Sequence, residues 1–216
     1  MSDAAGRVRH EGLRQKIISA EQAAEFIQNG MTVGISGFTG AGYPKAVPGA
    51  VAAKAEAAHA KGEAFKIRMI TGASTADECD GVLARANAIE FRSPFQSDPT
   101  LRNQINAGDA AYMDVHLSHI EQQVRAGFFG EMDVALIEVA VACVRTEDGK
   151  LIPSLGVGTN VTWLQKAKKV ILEVNARQNE KLEGMADIYD SVGLAPFRKP
   201  IPLTEAGGRI ATPYMH

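Results

Sequence analysis

The chain has 216 residues, the size of one large domain or two small ones. Hydrophobic residues make up 45% of it and charged residues 22%, which is an ordinary globular composition able to bury a sizeable core. Its 23 basic and 25 acidic residues give a formal net charge of -2. No global positive field therefore points to nucleic acid or an anionic membrane as a partner.

Residues 1–12 are mostly small or polar and lack an apolar signal core, so we expect a flexible N-terminus. No later run approaches the ~20 apolar residues of a membrane-spanning helix. Cys79 and Cys143 lack metal-site spacing and are expected to be reduced thiols. His116 and His119 can share a helical face, but a zinc site needs further ligands and none is visible. We predict a cytoplasmic protein with no metal, no tightly bound cofactor, and neither a nucleic acid nor a membrane as partner.

The first predicted helix follows Ser19. Ser19 is placed as its N-cap, Gln22 stands where a capping box needs a glutamine, and Gly30 is a stop signal. The residues expected on its apolar face are Ala23, Phe26 and Ile27.

Apolar runs and helical stretches then alternate along the chain. Buried strands are predicted in 31–36, 65–72, 132–142 and the second half of 162–175, and an extended connector in 195–202. Helices are predicted in 47–62, 80–88, 99–107, 116–129 and the first half of 162–175. This alternation indicates an α/β protein with an open, mainly parallel sheet and flanking helices.

A glycine-rich stretch, "SGFTGAGYPKAVP", follows the first strand. It is not a Walker A loop, because Gly42 is followed by Tyr43 and Pro44 instead of lysine and serine or threonine. It is not a dinucleotide fingerprint either, because a motif starting at Gly40 places Lys45 where the third glycine belongs. Two interpretations remain: a turn whose backbone amides approach a ligand, or a tight strand-to-helix connection.

Four motifs together resemble one family: "SGFTGAGYPKAVP", "ITGAST", "FRSPFQSDPTLRNQINAG" and "VILEVNARQN". In their order and over residues 13–216 the chain is similar to the N-terminal half of the acetyl-CoA hydrolase/transferase family. Within the family the resemblance is greatest to class I CoA-transferases that use succinyl-CoA and acetate, and to their propionyl-CoA:succinate relatives. It implies one N-terminal domain of the CoA-transferase type, a fold also described as NagB/RpiA/CoA-transferase-like, with coenzyme A as a substrate.

The resemblance also implies a chemistry. Family enzymes use a glutamate that attacks an acyl-CoA thioester and forms a glutamyl-CoA intermediate, which divides a difficult transfer into easier steps. That glutamate lies in the C-terminal half of the family, so no nucleophile is assigned here. The expected partners are acyl-CoA, small carboxylates and the missing C-terminal half, on the same or a separate chain, in a homodimer. Two alternatives stay open: an acyl-CoA hydrolase, and a non-catalytic binding or assembly domain.

By the same resemblance, several residues are expected to bind the substrate. Ser74 matches a serine near the small carboxylate, and its alternative role is to cap the next helix. Ser97 stands where relatives carry threonine near the same pocket. The glycine-rich stretch is expected to form a wall of the site through Gly37, Phe38, Thr39, Gly40, Gly42 and Pro44.

Four further polar residues have two interpretations each. Arg92 can pair with a substrate carboxylate, but a structural ion pair is the more frequent role of such an arginine. Glu138, inside an apolar strand, can have a raised pKa if buried, or can lie at a strand end with a backbone partner, which we favour. Glu173 and Asn175 close the last strand, either as site residues or as a turn-forming pair.

Overall fold

The computed structural model describes residues 4–142, 149–189 and 212–215. Its strands are β1 (Thr32–Ile35), β2 (Ile67–Ile70), β3 (Ile89–Ser93), β4 (Ala111–Tyr112), β5 (Met132–Val141), β6 (Ile152–Pro153) and β7 (Ala167–Val174). They form one seven-stranded sheet in the order β4-β3-β2-β1-β5-β6, and β7 pairs with β5. Every pair of strands is parallel except β5 with β6, which confirms the predicted α/β fold with a mainly parallel sheet.

Helices cover both faces of this sheet. They are α1 (Glu11–Arg14), α2 (Ala20–Ala24), α3 (Ala46–His59), α4 (Val82–Arg85), α5 (Pro99–Ala107), α6 (Leu117–Arg125) and α7 (Asn160–Lys166). The buried side chains of α2 to α5 share one hydrophobic cluster with β1 and β2, whereas those of α6 and α7 share another with β5. Among the described residues, no helix is long and apolar enough to cross a membrane.

The helix start at Ser19 is confirmed. Its hydroxyl accepts a hydrogen bond from the amide of Gln22, and the Gln22 side chain accepts one from the Ser19 amide, which completes the capping box. Phe26 was wrongly placed on the apolar face: the helix ends at Ala24, and Phe26 is 44% exposed. Its ring instead lies 3.8 Å from the Nζ of Lys169, in cation–π geometry.

Strand β7 differs from its prediction as a buried strand. Its residues are exposed or half-buried, because among the described residues it pairs with β5 alone and so forms an edge of the sheet. Strands β3, β4 and β6 were not predicted, since β4 and β6 have two residues each and β3 carries Glu90 and Arg92. The connector predicted in 195–202 lies outside the described residues, as does Cys143.

The described part of the N-terminus is held against the sheet. Val8 is buried and forms a β-bridge with Ala142, just beyond β5. The Arg7 guanidinium donates hydrogen bonds to carbonyl oxygens beyond β7, including that of Ala176 at 2.7 Å. The flexible segment expected over residues 1–12 stays a prediction, and in this structure residues 7–9 contact distant parts of the chain. Their anchoring depends on contacts more than 130 residues away, which no local pattern reveals.

Candidate functional site

Three loops meet where β1, β2 and β3 end. The strands run in parallel, so their carboxyl ends lie at one edge of the sheet, where ligands of open α/β folds bind. The loop after β1 is the glycine-rich stretch, the loop after β2 carries Ser74, and the loop after β3 carries Ser97. The fold therefore brings together the three elements that the sequence proposed as substrate-binding.

The tip of the glycine-rich loop faces solvent. Phe38 and Ala41 form a small β-bridge, with their amide-to-carbonyl distances at 2.8 and 3.0 Å. The amide of Thr39 donates to the Ser74 carbonyl oxygen at 2.9 Å, so the tip is tied to the loop after β2. Phe38, Thr39 and Gly40 are exposed, and Phe38 is 65% exposed. The exposed tip presents backbone and one aromatic ring, whereas Gly37, Gly42 and Pro44 are buried.

The two arms of this loop, residues 36–37 and 42–45, flank its tip. They contact the loop at residues 156–159 through Ser36 and Gly42. Gly42 has a φ of +67°, and a Cβ there would lie 2.5 Å from the amide nitrogen of Gly156. The Ser36 hydroxyl accepts hydrogen bonds from the amide and the hydroxyl of Thr159, at 3.0 and 3.1 Å. The glycine at position 42 thus serves a close backbone-to-backbone approach as well as a left-handed turn.

Ser74 and Ser97 form a hydrogen-bonded pair. Their hydroxyl oxygens are 2.9 Å apart, and the Ser97 amide donates to the Ser74 hydroxyl oxygen at 3.1 Å. Ser74 is fully buried, whereas Ser97 is exposed. Of the two serines, only Ser97 is therefore exposed at this edge of the sheet. The Ser74 hydroxyl does not cap a helix: it donates to the carbonyl oxygen of Thr75 at 2.9 Å.

A buried ion pair lies beneath Ser74. Arg92 donates from Nε and Nη2 to the two carboxylate oxygens of Asp80, at 3.1 and 3.2 Å, and both side chains are fully buried. Asp80 also accepts a hydrogen bond from the amide of Thr75 at 3.1 Å, and its carboxylate lies 3.4 Å from the Ser74 hydroxyl. Arg92 thus has the structural role and cannot reach a ligand. Asp80, which stands in a π-helical turn over Asp77–Gly81, is not among the site residues predicted from the sequence.

Two acidic residues lie behind the glycine-rich loop. Glu138 is almost fully buried and accepts hydrogen bonds from the side chains of Lys45 and Asn175, at 2.7 and 3.2 Å. Its partners are side chains, so the backbone partner that we favoured is wrong. Glu173 accepts hydrogen bonds from the backbone amides at the start of α3. Asn175 also closes a turn, since its side-chain oxygen accepts from the amide of Arg177 at 3.0 Å.

The other candidates lie apart from this edge or are inert. His116 and His119 have ring centroids 5.6 Å apart and line a surface pocket of about 320 Å³ with Asp114. No group of three or more metal-ligating side chains occurs within residues 4–142, 149–189 and 212–215. Cys79 is fully buried, and this burial raises the pKa of its thiol to about 12.

Comparison with known proteins identifies relatives over most of the chain. A family model described as the acetyl-CoA hydrolase/transferase N-terminal domain matches residues 1–195. The chain is 46% identical to the succinyl-CoA:acetate CoA-transferase of Clostridium kluyveri, over 97% of its own length and 38% of that protein. It is 40% identical to the propanoyl-CoA:succinate CoA transferase of Escherichia coli, over 92% and 39%. The acetyl-CoA hydrolase of Schizosaccharomyces pombe is 33% identical, over 97% and 40%.

Solved structures with low identity share the fold. An acyl-CoA transferase from Escherichia coli O157:H7 superposes with a TM-score of 0.58 at 11% identity, covering 87% of this chain and 50% of that one. The glutaconate coenzyme A-transferase of Acidaminococcus fermentans gives 0.53 at 14% identity, covering 73% and 68%. These values show that the α/β fold is of the CoA-transferase type, as predicted. The chain belongs to the acetyl-CoA hydrolase/transferase family and corresponds to its N-terminal domain, spanning about two fifths of the length of its curated relatives.

Proposed function

We propose that this chain supplies one wall of a CoA-transferase active site, which moves CoA between a short-chain acyl-CoA and a small carboxylate such as acetate or succinate. One observation carries the proposal. The exposed residue Ser97 is joined through its hydroxyl to buried Ser74, beside the exposed tip of the glycine-rich loop, where β1, β2 and β3 end. A hydroxyl donor beside open backbone suits a carboxylate, which only accepts hydrogen bonds.

The serine pair can adjust to such a ligand. Ser74 has one hydrogen and two lone pairs, and the Ser97 amide occupies one lone pair. While Ser74 donates to Thr75, the Ser97 hydroxyl donates to Ser74. A carboxylate that takes the Ser97 hydrogen leaves Ser74 free to turn its own hydrogen toward the Ser97 oxygen. The pair thereby offers a donor to the ligand while the 2.9 Å contact is kept.

The reaction in this proposal proceeds through a glutamate outside this chain, in the C-terminal part of such enzymes. The glutamate carboxylate attacks the thioester carbonyl, the C–S bond breaks, and CoA leaves as a thiolate. The thiolate then attacks the glutamyl carbonyl of the mixed anhydride and releases the donor carboxylate, leaving a glutamyl-CoA thioester. The acceptor carboxylate reverses these two steps. This chain would hold the donor and acceptor carboxylates, and none of its own residues is assigned as the nucleophile.

Hydrolysis is the second candidate, because acetyl-CoA hydrolases also occur among the relatives. In a hydrolase, water replaces the acceptor carboxylate at the glutamyl-CoA intermediate. The identities of 46% and 40% to two transferases, against 33% and 35% to two hydrolases, support transfer.

The expected homodimer and cytoplasmic location stay predictions.

A chimera tests the proposal. The chain replaces the matching N-terminal part of the Clostridium kluyveri relative, and the purified chimera is assayed with succinyl-CoA and acetate. We expect acetyl-CoA to form only when acetate is present. CoA release without any added carboxylate would support the hydrolase instead. A chimera that unfolds cooperatively yet has neither activity would contradict both and favour a binding or assembly domain.

A further inference from the structure

Lys45 ends the glycine-rich loop and immediately precedes α3. Its ammonium group donates to the carbonyl oxygen of Tyr43 at 2.6 Å and lies 4.0 Å from the centroid of the Tyr43 ring. The Tyr43 ring is buried, and its hydroxyl donates to Glu78. Lys45 is thus folded back onto its own loop, in a position that fixes the arm of the loop rather than facing solvent freely.

Glu138 holds the side chain of Lys45. Its Oε2 lies 2.7 Å from the Lys45 Nζ, and the side chain of Glu138 is 1% exposed. A buried carboxylate is costly unless it is paired and hydrogen-bonded. The other oxygen of Glu138, Oε1, is buried and has no hydrogen-bond partner among the described residues. Within those residues, Lys45 is the only cation that forms an ion pair with Glu138. The burial of Glu138 therefore fixes where Lys45 must lie.

Glu173 holds the backbone of the same residue. Its Oε1 accepts from the amide of Lys45 at 2.7 Å, and its Oε2 accepts from the amides of Ala46 and Val47 at 3.0 and 2.9 Å. These amides begin α3, a helix of 14 residues that has no side-chain cap of its own. A carboxylate is favoured there, because unpaired amides and the helix dipole make that end positive.

The two carboxylates are neighbours in the sheet. Glu138 on β5 stands in register with Glu173 on β7. Like charges on paired strands repel unless each is compensated. Here the ammonium of Lys45 compensates Glu138, while the backbone amides from Lys45 onward compensate Glu173. Lys45 thus contacts both carboxylates: its side chain compensates Glu138, and its amide is one of three that compensate Glu173.

We propose that Glu138 and Glu173 are positioning residues that fix the glycine-rich loop through Lys45. The two carboxylates pin the arm of the loop, and the Thr39 amide pins its tip to Ser74. The loop would then hold its shape before any ligand arrives, which lowers the cost of binding. The importance of this loop for catalysis rests on the proposed function, whereas its dependence on the two carboxylates does not.

Hydrogen exchange on this chain tests the positioning directly. We expect Glu138→Gln to speed exchange of the Thr39 amide by about tenfold or more, because the loop then opens locally more often. The amide of Val33, inside β1, should change much less. The matched control is Glu25→Gln. It removes the ion pair between exposed Glu25 and Lys54 of α3, neither of which belongs to the loop. It should leave the Thr39 amide unchanged.

A double-mutant cycle identifies the contact responsible. Lys45→Met should speed Thr39 exchange as Glu138→Gln does, and the double variant should be no faster than either single one, because both remove the same interaction. Additive effects would overturn the proposal. So would equal acceleration at Thr39 and Val33, which indicates global destabilisation, or no acceleration at Thr39.

The activity of the chimera separates this inference from the proposed function. With Glu138→Gln we expect kcat/KM to fall about tenfold or more, since a looser loop must be ordered at each turnover. Altered exchange in this chain with an inactive parent chimera would refute the function and leave the positioning intact. Altered exchange with unchanged kcat/KM would show that the two carboxylates shape the loop without serving catalysis.

Discussion

Replacing Asp80 by asparagine should strongly destabilise the chain. Asp80 and Arg92 are both fully buried, and two hydrogen bonds at 3.1 and 3.2 Å join them. The variant keeps the shape of the side chain but leaves the guanidinium charge buried without a counter-charge. Breaking a buried pair in this way costs about 3–5 kcal/mol. That is a large part of the about 5–15 kcal/mol that stabilises a typical domain.

Urea unfolding measures this loss. The chain contains a single tryptophan, Trp163, which is fully buried and reports unfolding by its fluorescence. We expect the transition of Asp80→Asn to move to clearly lower urea at an unchanged slope.

The matched control is Asp77→Asn, three positions earlier. Asp77 also pairs with an arginine, Arg85, at 2.5 Å, but both side chains are exposed. Exposed pairs contribute little to stability, so this variant should unfold at the same urea concentration as the parent chain. A loss below about 1 kcal/mol for Asp80→Asn, or equal losses in both variants, would refute the reasoning about burial.

Four other outcomes follow from the loop and the core. Gly40→Ala should cost about 1–3 kcal/mol through backbone strain alone, since no atom lies near its added Cβ. Gly42→Ala should cost more, because its Cβ would meet the amide of Gly156, and equal losses in urea unfolding would contradict this. In a Cys143→Ser background, Cys79 should resist a thiol-specific dye at pH 8 until urea unfolds the chain, because burial raises the pKa of its thiol to about 12, and rapid native labelling would contradict this. In the folded chain the pKa of Cys79 lies above its ordinary value of 9.0, so the unfolded chain loses the thiol proton at lower pH than the folded chain does. The contribution of this thiol to the free energy of unfolding therefore falls as the pH rises from about 9 to about 12. Urea unfolding at several pH values measures this fall.

Local signals of the sequence predicted local structure well. The capping box at Ser19 and the end of the helix predicted in 99–107, which Gly108 closes with a φ of +83°, depend on residues a few positions apart. The prediction that Phe26 is buried is wrong, because the position of this side chain depends on a distant residue. Helical periodicity placed it toward the core, but the helix ended before it and a lysine of a distant strand covered its ring.

At the candidate site too, local motifs were predictive and contacts between distant residues were not. Motifs predicted that Ser74, Ser97 and the glycine-rich loop lie together, and parallel strands bring them to one edge of the sheet. The contacts that support them could not be predicted, because Lys45 meets Glu138 and Glu173 across 93 and 128 residues of chain. Only the register of β5 with β7 determines that these two carboxylates converge.

The most direct test of the proposed function is the effect of Ser97→Ala on acetate-dependent transfer by the chimera. Losing a hydrogen bond to a charged ligand costs about 1.5–3 kcal/mol, so kcat/KM for acetate should fall about tenfold to a hundredfold. Ser118→Ala, at an exposed serine on α6, whose buried side chains belong to the other hydrophobic cluster, should leave it unchanged. If Ser97→Ala and Ser118→Ala transfer CoA to acetate equally well, this edge of the sheet does not hold the carboxylate.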